Sequence, residues 1–218
     1  MSRDIELEKR VAAEAAAELV RDGAKVGLGT GSTVGYLLPA LAARRLDLRC
    51  AATSLATEQA ARALGLVVEP LDALGTLDIA IDGADQIAPD GWLVKGGGGA
   101  HTREKIVARA ARRFVVIASS DKLVEALHPP VPLEILAFGA GATLAAVAPA
   151  ELRNVSRTPD GNLIADYVGP IGDPAALAAR LSDTPGIVEH GLFAPDVVHD
   201  VLVAHGESVE RKAVVAGC

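Results

Sequence analysis

The sequence predicts an α/β fold, an open and mostly parallel Rossmann-like sheet with helices on both faces, joined to a smaller ferredoxin-like α+β unit. Two features lead there. Up to about residue 130, short apolar runs alternate with segments of helical period, the pattern of parallel strands covered on both faces. After His128-Pro129-Pro130 the order changes to β-α-β-β-α-β, the split arrangement of ferredoxin-like units. The expected division is 1–130 with 199–218 for the larger domain, and 131–198 for the smaller one.

Each element has its own local reason. Leu7, Val11, Ala15, Leu19 and Val20 recur at helical spacing, so 4–21 reads as an amphipathic helix with Gly23 at its stop position. Residues 25–28 form a short strand that runs into Gly29-Thr30-Gly31-Ser32-Thr33 and a helix over 32–44. A strand at 48–53 follows, then a helix at 57–64 ended by Gly65. Leu77-Asp78-Ile79-Ala80-Ile81 is a buried strand. Beyond it lie a long irregular stretch, a helix over 102–112 and an apolar strand at 113–118. In the second part, strands at 133–138, 152–157, 163–168 and 187–193 alternate with helices at 142–148 and 174–181, and Pro159-Asp160-Gly161-Asn162 makes a turn. A last apolar strand at 200–204 returns to the first sheet.

Composition narrows the function classes. A chain of 218 residues buries roughly 70% of its unfolded surface and needs neither disulfide nor metal to fold. Aromatic residues make up 3%, too few for a base-stacking surface. The net charge of −7 has the wrong sign for a general nucleic-acid or anionic-membrane binder, though it leaves room for one small anion in a locally basic pocket. The longest uncharged stretch, 135–150, is broken by Gly139, Gly141 and Pro149 and is too short to span a bilayer. The opening Met1-Ser2-Arg3-Asp4-Ile5-Glu6 lacks the apolar run of a signal peptide. A cytoplasmic protein with Cys50 and Cys218 reduced is expected.

Three segments carry chemistry. In Gly27-Leu28-Gly29-Thr30-Gly31-Ser32-Thr33, glycines permit a tight turn, and the helix that follows offers free N–H groups to a phosphate. The plain alternative is a strand–helix turn with a serine cap. Ser32 stands where a dinucleotide loop needs glycine or alanine, and no Gly-Lys-Ser/Thr follows, so the loop is neither a dinucleotide motif nor a nucleotide P-loop. Asp82-Gly83-Ala84-Asp85 ends a buried strand at the edge where open α/β sheets bind ligands. Its carboxylates suit sugar hydroxyls or proton transfer to a ring oxygen. A magnesium site would want further oxygen ligands, and a lysine follows instead. In Lys95-Gly96-Gly97-Gly98-Gly99-Ala100-His101-Thr102-Arg103-Glu104, a run of four glycines brings backbone close to a substrate. Lys95 can stabilise an oxyanion while Glu104 moves a carbon-bound proton; complementing the helix dipole is the ordinary role of such a glutamate. Lys122, Lys9 and His101 are weaker candidates. The five histidines show no ligand spacing, so no metal and no cofactor are expected.

Gly-Thr-Gly-Ser-Thr at 29–33, Thr53-Ser54 with Thr57-Glu58, Asp-Gly-Ala-Asp at 82–85 and Lys-Gly-Gly-Gly-Gly at 95–99 stand in an order that resembles type A ribose-5-phosphate isomerases. So do Arg-Glu-Lys-Ile at 103–106, Asp121-Lys122 and Pro-Gly-Ile-Val-Glu-His-Gly-Leu-Phe at 185–193, so the likeness covers nearly the whole chain. It implies a metal-independent aldose–ketose isomerase acting on ribose 5-phosphate, with Glu104 as base and Asp82 assisting ring opening. It further implies that Lys95 stabilises oxygen charge and Asp85 holds a hydroxyl. Thr30, Gly31, Ser32 and Thr33 with Lys9 would take the phosphate, Gly83, Ala84, Gly96, Gly97 and Gly98 would line the substrate, and Lys122 would touch it. A homodimer or homotetramer contacting through the smaller unit is implied as well. Three departures stand out: Gln86 in place of a glutamate, a shortened 139–157 region, and Asp160-Gly161-Asn162 in place of Asp-Asn-Gly-Asn. Two other readings share the scaffold, a sugar-phosphate sensor and an amino-sugar-phosphate deaminase.

Overall fold

A computed structural model describes residues 4–214. In chain order its elements begin with α1 (Ile5–Ala17), β1 (Lys25–Leu28), α2 (Ser32–Ala43), β2 (Arg49–Ala52), α3 (Leu55–Ala63), β3 (Val67–Val68), α4 (Leu71–Leu74) and β4 (Ile79–Asp82). Then come β5 (Gln86–Ile87), β6 (Leu93–Val94), α5 (His101–Ala110), β7 (Phe114–Ser119), β8 (Val131–Ile135), α6 (Ala140–Ala146) and β9 (Ala150–Leu152). The last are β10 (Leu163–Tyr167), α7 (Pro174–Ser182), β11 (Ile187–His190), β12 (Leu192–Phe193), β13 (Asp200–His205) and β14 (Ser208–Ala213).

The chain forms two compact units, one of Met1–Ala84, Arg103–Lys122 and Pro195–Cys218, the other of Asp85–Thr102 and Leu123–Ala194. In the first, seven strands lie in the order β14-β13-β7-β4-β1-β2-β3, all parallel except the β13–β14 hairpin. Alternate side chains of a strand point to opposite faces. Val26, Leu28, Ile79, Ile81, Val115, Ile117 and Leu202 share a core with α1 and α2. Gly27 and Ala80 face the other way, toward α5: a Cβ on Gly27 would lie 2.5 Å from Val107 Cγ1 and 2.9 Å from the Ala80 Cβ. The fold is the predicted α/β sheet with helices on both faces.

α1 ends at Ala17, short of the predicted 4–21, and its buried stripe is Glu8, Ala12, Ala13, Ala16 and Ala17. That stripe is offset by one residue from Leu7, Val11 and Ala15; Val11 and Ala15 are only partly buried against the core. Alanine contributes little hydropathy, but its small size lets α1 pack closely on α2. Cys50 lies in this core, where burial pushes its thiol up to about 12 and leaves it unreactive. Cys218 lies outside the described residues.

In the second unit, β8-α6-β9-β10-α7-β11 builds an antiparallel sheet in the order β11-β8-β10-β9, the predicted ferredoxin-like pattern. Val131, Leu133, Ile135, Ala165, Tyr167, Leu177 and Leu181 fill its core. The predicted boundary left 85–102 in the larger domain, whereas those residues pack with the second unit. The cause is that 85–102 is not wholly irregular: β5 and β6 join β12 in a three-stranded sheet. The single strand expected over 187–193 breaks at Gly191 into β11, paired with β8, and β12, paired with β6. No side chain fits at the break, because a Cβ on Gly191 would lie 2.2 Å from the Lys95 carbonyl oxygen. Among the described residues, no helix is long and apolar enough to cross a membrane.

Candidate active site

In the first unit the strand order reverses between β1 and β4, and both strands leave the sheet at the same edge. Such a switch point is where open α/β sheets hold ligands. The Gly29–Thr33 loop leaves β1 there, and Asp82 closes β4. Asp82 is 2% exposed. Its Oδ1 accepts the Thr30 N–H at 3.0 Å and the Gly83 N–H at 2.7 Å. From the other side, the Thr30 hydroxyl lies 2.8 Å from that of Thr53, and Thr57 donates to the Gly29 carbonyl at 2.9 Å. The loop is thereby fixed on both flanks.

α2 begins at Ser32 after Gly31, whose φ of +119° only glycine adopts readily, and no side chain caps the helix. The serine-cap alternative is therefore wrong: Ser32 is the first helical residue, and it is exposed beside Gly31. The helix N-terminus keeps its N–H groups toward the edge, suited to a phosphate. Glu104 sits in the first turn of α5, three residues before Val107 and on the same side of that helix. It thus belongs to the sheet face of Ala80 and Asp82, and it is buried at 5% exposure.

The two outlying lysines sit on elements that meet this edge. Lys9 pairs with Glu6 at 2.6 Å, and the other Glu6 oxygen accepts the Tyr36 hydroxyl of α2 at 2.8 Å. Lys9 and Tyr36 together hold the Glu6 carboxyl below the usual carboxylate range. Lys122 lies in the helical turn after β7 and pairs with Asp121 at 3.1 Å.

The second unit carries Asp85, Lys95, Gly96, Gly97 and Gly98. Lys95 is buried, with Nζ 5.4 Å over the Phe193 ring. Asp85 is exposed and accepts the Gly97 N–H at 2.8 Å. Gly96 and Gly99 have positive φ, and the Gly99 N–H closes a turn onto the Gly96 carbonyl at 2.9 Å. A Cβ on Gly96 would lie 2.6 Å from Nδ1 of the fully buried His101. The loop's own turn and this close contact already require glycine at 96 and 99, so a nearby substrate is not needed to explain those two. His101 packs under the loop as its support.

Sequence reasoning missed three charged residues. Arg153 grips Asp166 with two hydrogen bonds of 2.6 Å and donates a third, at 2.8 Å, to the Gly97 carbonyl. Gly97 is thus held through its N–H by Asp85 and through its carbonyl by Arg153. Glu134, buried in β8, accepts from Thr102, Thr158 and Asn162. Glu8 lies inside the alanine stripe of α1. The predicted stripe of Leu7, Val11 and Ala15 leaves Glu8 off the core face, and each of the three is defined by partners distant in sequence. Among the described residues, no group of three His, Cys, Asp or Glu side chains is arranged to hold a metal ion.

Residues 49–208 match the family model described as ribose 5-phosphate isomerase A (phosphoriboisomerase A). The chain belongs to the ribose 5-phosphate isomerase A family. The ribose-5-phosphate isomerase A of Caulobacter vibrioides is 47% identical over 220 residues, which cover 94% of this chain and 96% of that one. The crystal structure of ribose 5 phosphate isomerase A from Neisseria gonorrhoeae superposes with a TM-score of 0.93 at 31% identity, covering 99% and 100% of the two chains. A D-ribose-5-phosphate isomerase in complex with phospho-erythronic acid gives 0.91 at 32% identity, over 96% and 99%.

One departure from the ribose 5-phosphate isomerase A pattern has a direct explanation. The Gln86 amide donates to the His128 carbonyl at 2.8 Å while its oxygen accepts the His128 N–H at 2.9 Å. A carboxylate accepts only, so it could not satisfy both the N–H and the carbonyl of His128.

Proposed function

We propose that this chain interconverts D-ribose 5-phosphate and D-ribulose 5-phosphate through a cis-enediolate. The observation that carries the reading is the buried Asp82 carboxylate, hydrogen-bonded to Thr30 of an uncapped helix-terminal loop at the switch point. It puts a group for sugar hydroxyls next to backbone suited to a phosphate, as a phosphorylated sugar needs. Thr30, Gly31, Ser32 and Thr33 with Lys9 take the phosphate, and Lys122 adds a further contact. Gly83, Ala84, Gly96, Gly97 and Gly98 line the substrate.

Asp82 helps open the furanose by moving the proton between the anomeric hydroxyl and the ring oxygen. The ionised Glu104 carboxylate then takes the proton from C2. The C2–H electron pair forms the C1–C2 double bond, and the former carbonyl pair moves to O1. The Lys95 ammonium stabilises that oxygen charge, and Asp85 holds a hydroxyl. Glu104 returns its proton to C1 while the O2 proton passes to O1, so nothing is gained or lost overall. Each part follows ordinary general acid–base and electrostatic catalysis.

The test is ketose formation from ribose 5-phosphate by the purified chain with EDTA present. Saturable ribulose 5-phosphate production is the expected result. Ammonia release from glucosamine 6-phosphate instead would make the chain a deaminase, and saturable binding without turnover would make it a sensor.

The enzyme is read as cytoplasmic and homo-oligomeric, a dimer or tetramer contacting through the second unit. There Phe138 is 93% exposed, with Leu136, Leu152 and Val155 also open to solvent. A phenylalanine this exposed is the side chain in that unit that burial against a second copy would stabilise most. Phe138→Asp is expected to halve the mass measured by light scattering; a native chain already monomeric would contradict the reading.

A further inference from the structure

α1 carries a buried carboxylate that the proposed chemistry leaves unused. Glu8 is 3% exposed. Its Oε2 accepts the Ser120 N–H at 2.8 Å and the Ser120 hydroxyl at 2.7 Å, and its Oε1 accepts the Gly206 N–H at 3.0 Å. Burial alone would raise its pKa, but the donors from Gly206 and Ser120 outweigh that and hold the carboxyl below its ordinary value. Three donors converge on two oxygens, an arrangement that an acceptor-only group satisfies. A glutamine would set its own NH₂ against one of them.

The donors come from two neighbouring strand ends. Ser120 opens the turn after β7 that carries Lys122, and Gly206 lies in the turn between β13 and β14. β4, β7 and β13 are parallel neighbours, so these turns lie on the sheet edge of Asp82. Glu8 also precedes Lys9 on α1, and Lys9 pairs with Glu6, which in turn meets α2 through Tyr36. One buried carboxylate therefore ties the segment that carries Lys9 to the segment that carries Lys122.

We infer that Glu8 is a positioning residue for the anionic end of the substrate, setting Lys9 and Lys122 at the carboxyl edge of the first sheet. This rests on the isomerase reading above and adds a residue to it. Glu8 touches no reacting atom, so its loss acts on binding of the phosphorylated substrate and not on the proton transfer.

The experiment compares the native chain with Glu8→Gln. It measures kcat and KM for ribose 5-phosphate, the dissociation constant of inorganic phosphate by calorimetry, and folding by circular dichroism. Expected is a rise of about 5–20-fold in both KM and the phosphate constant, with kcat within about twofold of native. A folded variant with unchanged KM and phosphate affinity, or with kcat alone reduced, overturns the inference. Ser120→Ala removes one donor and keeps the carboxylate; it should move both constants in the same direction by a smaller factor, and decides the matter if Glu8→Gln does not fold. Should the native chain bind phosphate without isomerising the sugar, the isomerase reading fails while the phosphate constants still judge Glu8. A native chain that binds no phosphate and does not turn over overturns both.

Discussion

Glu104→Gln should lower kcat for ribose 5-phosphate by about 10²–10⁴-fold, with KM close to native. The substitution preserves the volume of a side chain that is 5% exposed in the first turn of α5, and it keeps a hydrogen-bonding oxygen in place. What it removes is the only feature the mechanism needs from this residue, a carboxylate able to carry the C2 proton. Ground-state binding relies on the 29–33 loop and the lysines, so it should survive. Steady-state kinetics on protein shown to be folded settles the point. Turnover within about threefold of native would reject Glu104 as the base, and a large rise in KM with kcat intact would make it a binding group.

Gly29→Ala should be nearly as damaging, although it adds a single methyl group. That carbon would lie 2.0 Å from both Cγ and Oδ1 of Asp82 and 2.5 Å from its Cβ. Two covalently unconnected atoms cannot share that space, so either the carboxylate swings away or the loop detaches from it. Asp82 Oδ1 is also the acceptor for Thr30 N–H and Gly83 N–H, and either movement leaves those donors behind. Overpacking of this kind costs about 1–3 kcal/mol of stability, and a displacement of about 1 Å at a catalytic group costs about 10²-fold in rate. A fall of about 10²-fold or more in kcat/KM is therefore expected. Gly35→Ala is the matched comparison. Gly35 lies inside α2 with open space where its Cβ would be, so alanine there should add about 0.5–1 kcal/mol of stability. If Gly29→Ala keeps native kcat/KM, the Asp82–loop contact is not part of the machinery.

The parts of the fold legible in the sequence were those with strong local signals. β4 and β7 read as unbroken apolar runs because both faces of their sheet are covered, and the ferredoxin-like order showed through its helix and strand periods. β14 was invisible: Ser-Val-Glu-Arg-Lys-Ala has almost no apolar alternation, since an antiparallel edge strand rests on one hairpin partner. β5 and β6 are two residues each, below the length at which any period can be counted. In the site, the 29–33 loop and Asp82 announced themselves by residue types that helices and strands avoid. Glu8, Glu134 and Arg153 could not, because what gives each its role is a partner distant in sequence: Glu8 meets Ser120 and Gly206, and Arg153 meets Gly97. The reason for glycine at 96 was likewise tertiary, the ring of His101 beneath it.

Whether a protein carboxylate carries the C2 proton is read by running the reaction in D₂O and following the sugars by NMR. Ribulose 5-phosphate bearing solvent deuterium at C1 is expected, to the extent that the proton on the buried Glu104 carboxylate exchanges with water before its return. Glu104→Gln is expected to form almost none of this product in the same time. Ketose that keeps the aldose C2 hydrogen at C1 and forms as fast in Glu104→Gln as in the native protein would mark a hydride shift and rule out a carboxylate carrier.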